Sequence, residues 1–299
     1  MQMHADQLYI DEAMGRRIVD EQFPHWRSHD VRAVDGGGTV NAIFRIGERL
    51  AARFPLQGTD PEAIRRDLES DAEAAAEFAT LVRVPTPEPV AIGEPSEEYP
   101  LPWSAQTWLP GTVATVDDPA ASVAFAEDLA ALIEDLRAAD VRGRTYDGSG
   151  RGGHLPDHDE WLDTCFAESE GLLDVARLRT LWADLRTLPE NDPDAMCHKD
   201  LIPPNLLVSE GRLAGVLDCG DFAPADPALD LVAAWHLLDK PRRRILRDLL
   251  GCDDVQWARG MAWAFQQAMG LVWYYRESNP SMSRWGRRTL ERILGDRDD

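Results

Sequence analysis

What this chain can fold into is constrained most by the order in which its apolar periodicities occur. Short β-prone runs come first, at residues 31–35, 40–46 and 50–54, parted by Gly36-Gly37-Gly38 and by Gly47-Glu48, both turn signals. Asp60-Pro61-Glu62 then supplies a cap, a proline at the first helical position and an early acid, which predicts a helix over 61–82. Pro85, Pro87 and Pro89 end it, and two more β-prone runs follow at 90–93 and 103–109, the second closed by Pro110-Gly111. Beyond that point apolar residues recur at helical spacing over 120–139, 175–188, 229–238, 242–250, 255–277 and 284–294, and only 205–208 and 213–217 read as strands. The expectation is an α+β, bilobal molecule. A small N-terminal β-sheet lobe with one long helix occupies residues 1–109, and a larger, mainly helical C-terminal lobe occupies 110–299. Residues 148–153, rich in glycine with serine and arginine, read as a flexible loop.

Composition excludes several classes. With 299 residues, 44% hydrophobic and 28% charged, the chain can bury a substantial core. Its four cysteines, Cys165, Cys197, Cys219 and Cys252, are scattered and form no C-x-x-C pair, which argues against a disulfide scaffold and a structural zinc site. No charged-then-apolar leader opens the sequence. Its most apolar stretch, 261–275, is broken by Gln266 and Gln267 and is shorter than the roughly 20 residues a bilayer span needs, so the expected location is cytoplasmic with no membrane partner. The 31 bases against 53 acids, a formal charge of -22, argue against nucleic acid as a partner and favour a cationic small-molecule substrate. A solvated acidic surface kept for solubility accounts for the same count.

The densest polar cluster is Cys197-His198-Lys199-Asp200-Leu201-Ile202-Pro203-Pro204-Asn205, followed by a hairpin-like segment that ends at Asp218. Phosphoryl transfer needs a carboxylate near the accepting hydroxyl and hard oxygen ligands for magnesium. H-x-D-x-x-x-x-N followed by a hairpin and a second aspartate supplies both.

This segment resembles the catalytic loop of the aminoglycoside phosphotransferase family, within the protein-kinase-like superfamily that also includes macrolide phosphotransferases. The resemblance implies a protein-kinase-like fold with Asp200 orienting or deprotonating the acceptor hydroxyl. Asn205 and Asp218 would bind Mg2+, and ATP or GTP would be the phosphate donor. His198 would brace the loop. Asp226-Pro227-Ala228-Leu229-Asp230-Leu231 resembles the family's D-P-x-x-D-L segment, where Asp230 would help hold the catalytic loop. Asp221 lies beside the implied metal site without an assigned role. Upstream, Gly37, Gly38 and Thr39 resemble the loop that positions the nucleotide phosphates, and Gln106, Thr107 and Leu109 the hinge that meets the adenine edge. The implied partners are a nucleoside triphosphate and a small-molecule acceptor, with the chain acting as a monomer or a homodimer.

The sequence departs from the family in places. Its only lysines are Lys199 and Lys240, so the usual phosphate-holding lysine of the third strand is absent. Arg53 occupies the matching strand, and guanidinium grips phosphate bidentately. Glu73 is its expected helix partner, with Glu77 one turn later as the alternative. Lys199 stands where antibiotic kinases usually have glycine, and Cys219 where an aromatic is commoner. Acceptor choice is expected to come from the helical lobe, especially residues 148–158. Asp157, Asp159 and Glu160 suit substrate amines or a solvated loop equally. The helix carrying Trp257, Trp263, Trp273, Tyr274 and Tyr275 could line a pocket, although its spacing reads mainly as core. Two function classes remain: an enzyme phosphorylating a small hydroxylated molecule, an aminoglycoside or macrolide among the candidates, and a nucleotide-binding pseudokinase with a regulatory role. A protein kinase is disfavoured by the lack of D-F-G and A-P-E segments.

Overall fold

In the computed structural model, residues 7–34, 40–115, 118–190 and 193–297 are described. Gly37, Gly38 and Thr39 of the expected phosphate loop therefore lie outside the described residues. The chain divides into two compact units, one of Met1–Thr80 with Pro85–Pro110, the other of Leu81–Val84 with Gly111–Asp299.

The first unit opens with α1 (Glu12–Gln22), capped by Asp11, whose carboxylate accepts the Met14 N–H at 2.8 Å. The apolar periodicities did not predict this helix. It buries only Gly15, Ile18 and Val19, a stripe too narrow to stand out among its charges. β1 (Val31–Ala33), β2 (Asn41–Ile46) and β3 (Leu50–Pro55) follow as an antiparallel meander, then α2 (Pro61–Leu81), β4 (Pro89–Gly93) and β5 (Trp103–Thr107). The sheet order is β1-β2-β3-β5-β4, so β5 returns to pair with β3 inside β4. Phe54 is the centre of the core: its ring stacks on Trp103 at 4.7 Å and meets Phe44 and Tyr99 edge-on at 5.5 and 5.1 Å. The buried Tyr99 hydroxyl donates to the Pro55 carbonyl, which satisfies it without water. Asp60 caps α2 through the Glu62 N–H at 3.0 Å, and of this 21-residue helix only Phe78 is fully buried.

The second unit contains β6 (Thr112–Val113), α3 (Val123–Ala138), α4 (Asp159–Glu168), α5 (Val175–Leu185), β7 (Ala195–Cys197), β8 (Leu206–Ser209), β9 (Arg212–Val216), β10 (Ala223–Ala225), α6 (Val232–Leu237), α7 (Lys240–Leu250), α8 (Asp254–Tyr274) and α9 (Pro280–Arg297). The sequence suggested two strands in this region. β6, β7 and β10 add to them, each too short for alternation to register. Residue 205 belongs to the turn Pro203–Asn205 rather than to a strand. The helix expected at 229–238 is a single turn, Leu229–Leu231, followed by α6.

α8 forms the middle of this unit, buried continuously from Arg259 to Gly270. Within that stretch Arg259, Gln266 and Gln267 are the polar residues, and each is drawn in by a polar group on another element. All four cysteines are buried thiols, and none forms a disulfide. Among the described residues no helix is long and apolar enough to cross a membrane.

Candidate active site

β7 and β10 pair antiparallel, with Cys197 opposite Ala223 and Ala195 opposite Ala225. That register lays the segment after β10 beside the loop after β7. Asp230, almost fully buried, accepts the backbone N–H of His198 on Oδ2 at 2.8 Å and that of Lys199 on Oδ1 at 3.0 Å. Burial pushes the Asp230 carboxyl up from its ordinary range, and His198 with these two N–H groups opposes the push.

The His198 ring is fixed by backbone on both sides. Asp200 N–H donates to Nδ1 at 3.3 Å, which leaves Nε2 as the protonated nitrogen, and Nε2 donates to the Leu217 carbonyl at 2.9 Å. Both nitrogens are therefore committed, and the ring braces the loop rather than shuttling protons. Lys199 sits at φ 71°, a left-handed conformation that glycine adopts more readily, so the loop turns sharply there with or without the glycine usual in the family.

Asp200 is gripped at both carboxylate oxygens. Asn205 Nδ2 donates to Oδ2 at 3.0 Å and also to the Asp200 carbonyl at 3.0 Å, while the Arg151 guanidinium donates to Oδ1 at 2.6 Å. Using Nδ2 in this way leaves Asn205 Oδ1 as a hard oxygen donor. The β8–β9 hairpin, turned through Glu210 and Gly211 at φ 51° and 72°, pairs Leu206 with Val216. The Leu217 N–H then donates to the Asn205 carbonyl at 2.8 Å, which brings Asp218 alongside Asn205. Asp218 lies exposed at φ 60°, ψ 51°, a left-handed conformation of the strained kind found at functional sites. Burial raises the Asp200 carboxyl above its usual range. Arg151 and His198 pull it back, and the nearby Asp218 and Asp221 carboxylates add to the rise.

Asn205 Oδ1 and the Asp218 carboxylate could offer two hard oxygens to a metal, and among the described residues no group of three or more His, Cys, Asp or Glu could hold a metal ion. This donor set suits magnesium, which keeps several waters and takes phosphate oxygens rather than a closed protein cage.

Three features of the site were not read from the sequence. Asp226 Oδ2 accepts from Arg259 Nε and from Trp263 Nε1, each at 2.8 Å, and the Arg259–Asp226 pair is almost wholly buried. Arg259 also reaches the Pro189 carbonyl at 2.9 Å. A lone arginine in an otherwise apolar helix was the available signal, since buried arginine is nearly always paired. The second feature is Arg151 on Asp200. The third is Tyr146, whose ring lies 5.9 Å from Lys199 Nζ. Asp159, expected among the possible acceptor contacts, is instead committed to Arg186 and to the Trp182 indole N–H. Trp263 is core, in line with its helical spacing. Asp157 lines a cavity of about 270 Å³ with His154, Arg186, Glu190 and Arg259.

In the first unit, Arg53 lies half-buried in β3 between Ile43 and Ser104. Glu73 is exposed on α2, while Glu77 is half-buried. Gln106 sits in β5 between Ala51 and Pro89. Thr107 has both its N–H and its hydroxyl oxygen committed to Glu88, at 2.9 and 2.8 Å. Leu109, just beyond the strand, is half-buried.

A small antiparallel sheet unit and a helical unit, the latter holding a braced aspartate next to an asparagine and a second aspartate, define a kinase-like phosphotransferase. A sequence model of the phosphotransferase enzyme family, APH, matches residues 30–263, and the chain belongs to that family. It is similar to an aminoglycoside 3'-phosphotransferase of Streptomyces fradiae, 27% identical over 254 residues that span 77% of this chain and 85% of the relative. Among solved structures, the GDP complex of an aminoglycoside 2'-phosphotransferase-IIIa superposes with a TM-score of 0.73 at 19% identity, covering 96% of this chain and 100% of that one. Macrolide 2'-phosphotransferase MphH from Brachybacterium faecium, an apoenzyme structure, gives 0.59 at 18% identity, covering 91% and 97%. The chain is thus an enzyme that transfers phosphate to an alcohol group of a small molecule.

Proposed function

We propose that this enzyme moves the γ-phosphate of ATP or GTP, held with Mg2+, to a hydroxyl of an aminoglycoside or macrolide antibiotic in the cytoplasm. The observation that carries the reading is the convergence of Asp200, Asn205 and Asp218 on one loop and its hairpin, fastened from behind by Asp230. The names of the similar proteins support antibiotic acceptors, the GDP complex of one supports a nucleotide donor, and the charge of -22 supports a cationic acceptor.

Asp200 accepts a hydrogen bond from the acceptor hydroxyl and takes its proton as the new oxygen–phosphorus bond forms and the nucleoside diphosphate departs. Asn205 Oδ1 and the Asp218 carboxylate would hold magnesium, which neutralises charge on the phosphates. Arg53, on the sheet of the first unit, would grip nucleotide phosphate. Glu77, more enclosed than Glu73, is the better-placed of the two to steady it. With the Thr107 N–H committed to Glu88, Leu109 is left to meet the base edge through its backbone. Gln106 orients that segment.

The test is direct. Purified protein is incubated with Mg2+, ATP or GTP and a panel of aminoglycosides and macrolides, and phosphorylated product is sought by mass spectrometry. Transfer to at least one acceptor is expected. Nucleotide binding with no transfer to any of them would reject this reading in favour of a regulatory pseudokinase.

A further inference from the structure

Asp200 is approached from a segment outside the catalytic motif. Residues 148–153 read as a flexible loop in sequence, yet in the structure the segment 146–153 is fastened at both ends. At the entry, Tyr146 N–H donates to Asp194 Oδ2 at 2.8 Å and the Tyr146 hydroxyl donates to the Gly150 carbonyl at 2.9 Å. Ser149 closes on Asp147 Oδ1 with its N–H and its hydroxyl at 2.8 and 2.6 Å. At the exit, Asp226 N–H donates to the Gly152 carbonyl at 2.7 Å. Gly152 and Gly153 are seated too closely to carry side chains. A Cβ on Gly152 would stand 2.6 Å from that of Ala225, and one on Gly153 would stand 2.4 Å from the Tyr146 ring. Arg151 projects from between these fixed points to Asp200 Oδ1 at 2.6 Å.

We propose that Arg151 is a positioning residue for Asp200, delivered by the 146–153 loop so that guanidinium holds Oδ1 while Asn205 holds Oδ2. The torsion that swings an aspartate carboxylate is broad, and one donor fixes one oxygen without fixing the plane of the group. A second donor on the other oxygen does fix it. Each oxygen has a second lone pair, so an acceptor hydroxyl can still bind while both grips persist. The pair is partly sheltered, at 35% and 25% side-chain exposure, which distinguishes it from a freely solvated surface ion pair. The catalytic meaning of the grip rests on Asp200 being the base.

Arg151→Ala, Arg151→Lys and Gly152→Ala test the proposal by steady-state kinetics. Arg151→Ala is expected to lower kcat on the order of 10²-fold, the effect of a slightly misplaced reacting group, with the nucleotide KM unchanged. Arg151→Lys should recover part of the rate, and added methylguanidine should partly rescue Arg151→Ala. Gly152→Ala should show a fall in kcat that methylguanidine does not rescue, because the loop itself is displaced. An unchanged kcat in Arg151→Ala, or a loss confined to the nucleotide KM, overturns the proposal. A cycle of Arg151→Ala, Asp200→Ala and the double variant, read by urea unfolding, does not depend on turnover. Additive losses of stability overturn the grip. Coupled losses in a protein that phosphorylates no acceptor leave the grip standing and reject the proposed reaction instead.

Discussion

Asp200 is an acceptor surrounded by donors, and its replacement separates chemistry from binding. Asp200→Asn removes the proposed base but keeps a group of the same shape between Arg151 and Asn205, so kcat should fall by about 10²- to 10⁴-fold while the nucleotide KM stays close to that of the parent. A coupled nucleotide assay measures both, and near-normal turnover would remove Asp200 from the role of base. Asp218→Ala should instead raise the Mg2+ concentration needed for half-maximal rate, which a magnesium titration of the same assay reads. That Asp200, Asn205 and Asp218 come together was legible in the sequence, through the spacing that the family resemblance singles out. Arg151 was not legible: it lies 49 residues from Asp200, and no local pattern announces a contact made only by tertiary structure. Lys199 shows a different limit. Its left-handed backbone is a property of the loop, and a lysine there conceals the turn that a glycine would have marked.

At the scale of elements, the long periodic helices and the first meander were readable. α1, α4 and the short strands β6, β7 and β10 were not, although β7 and β10 set the register that seats the Asp200 loop. The pair of Asp226 with Arg259 joins the end of β10 to α8, and Trp263 adds a second donor from the same helix. Arg259→Met leaves a buried carboxylate with one of its principal partners gone, and it should destabilise the fold by about 3–5 kcal/mol in urea unfolding. A change below 1 kcal/mol would show that the pair contributes little.

His236 couples α6, α8 and α9. Trp285 Nε1 donates to its Nδ1 at 2.9 Å, and its Nε2 donates to Gln267 Oε1 at 2.8 Å. A second proton on Nδ1 would confront the indole N–H. Burial accordingly lowers this histidine from 6.5 to about 3. Its folded value lies below its unfolded one, so unfolded chains take up the extra proton first as pH falls. The contribution to stability is complete above pH 6.5 and is lost progressively as pH falls from there towards 3. Between pH 7.5 and pH 5 the loss is about 2 kcal/mol. His236→Gln should flatten that part of the Tm–pH profile relative to the parent. A slope that persists unchanged in the variant would assign the acid sensitivity to other groups.

For the molecule as a whole, the excess of acids acts at a distance. Attraction of a polycationic acceptor to a surface of formal charge -22 is screened over roughly 10 Å at 0.1 M salt. The acceptor KM for a multiply charged aminoglycoside should therefore rise with added potassium chloride, while that for a singly charged macrolide should change far less. Equal salt dependence for the two would show that the net charge plays no part in acceptor capture.

The four sealed thiols bear on how such an enzyme can be watched at work. Burial holds Cys165 up at about 11 and Cys197 far above its ordinary range, so neither presents a ready thiolate, and Cys219 and Cys252 are enclosed as well. A cysteine introduced on the exposed face of α2 and another on that of α7 would then be the fastest-reacting sites for a maleimide dye. With its native thiols buried, the parent chain should show the low labelling background that distance measurements by fluorescence require.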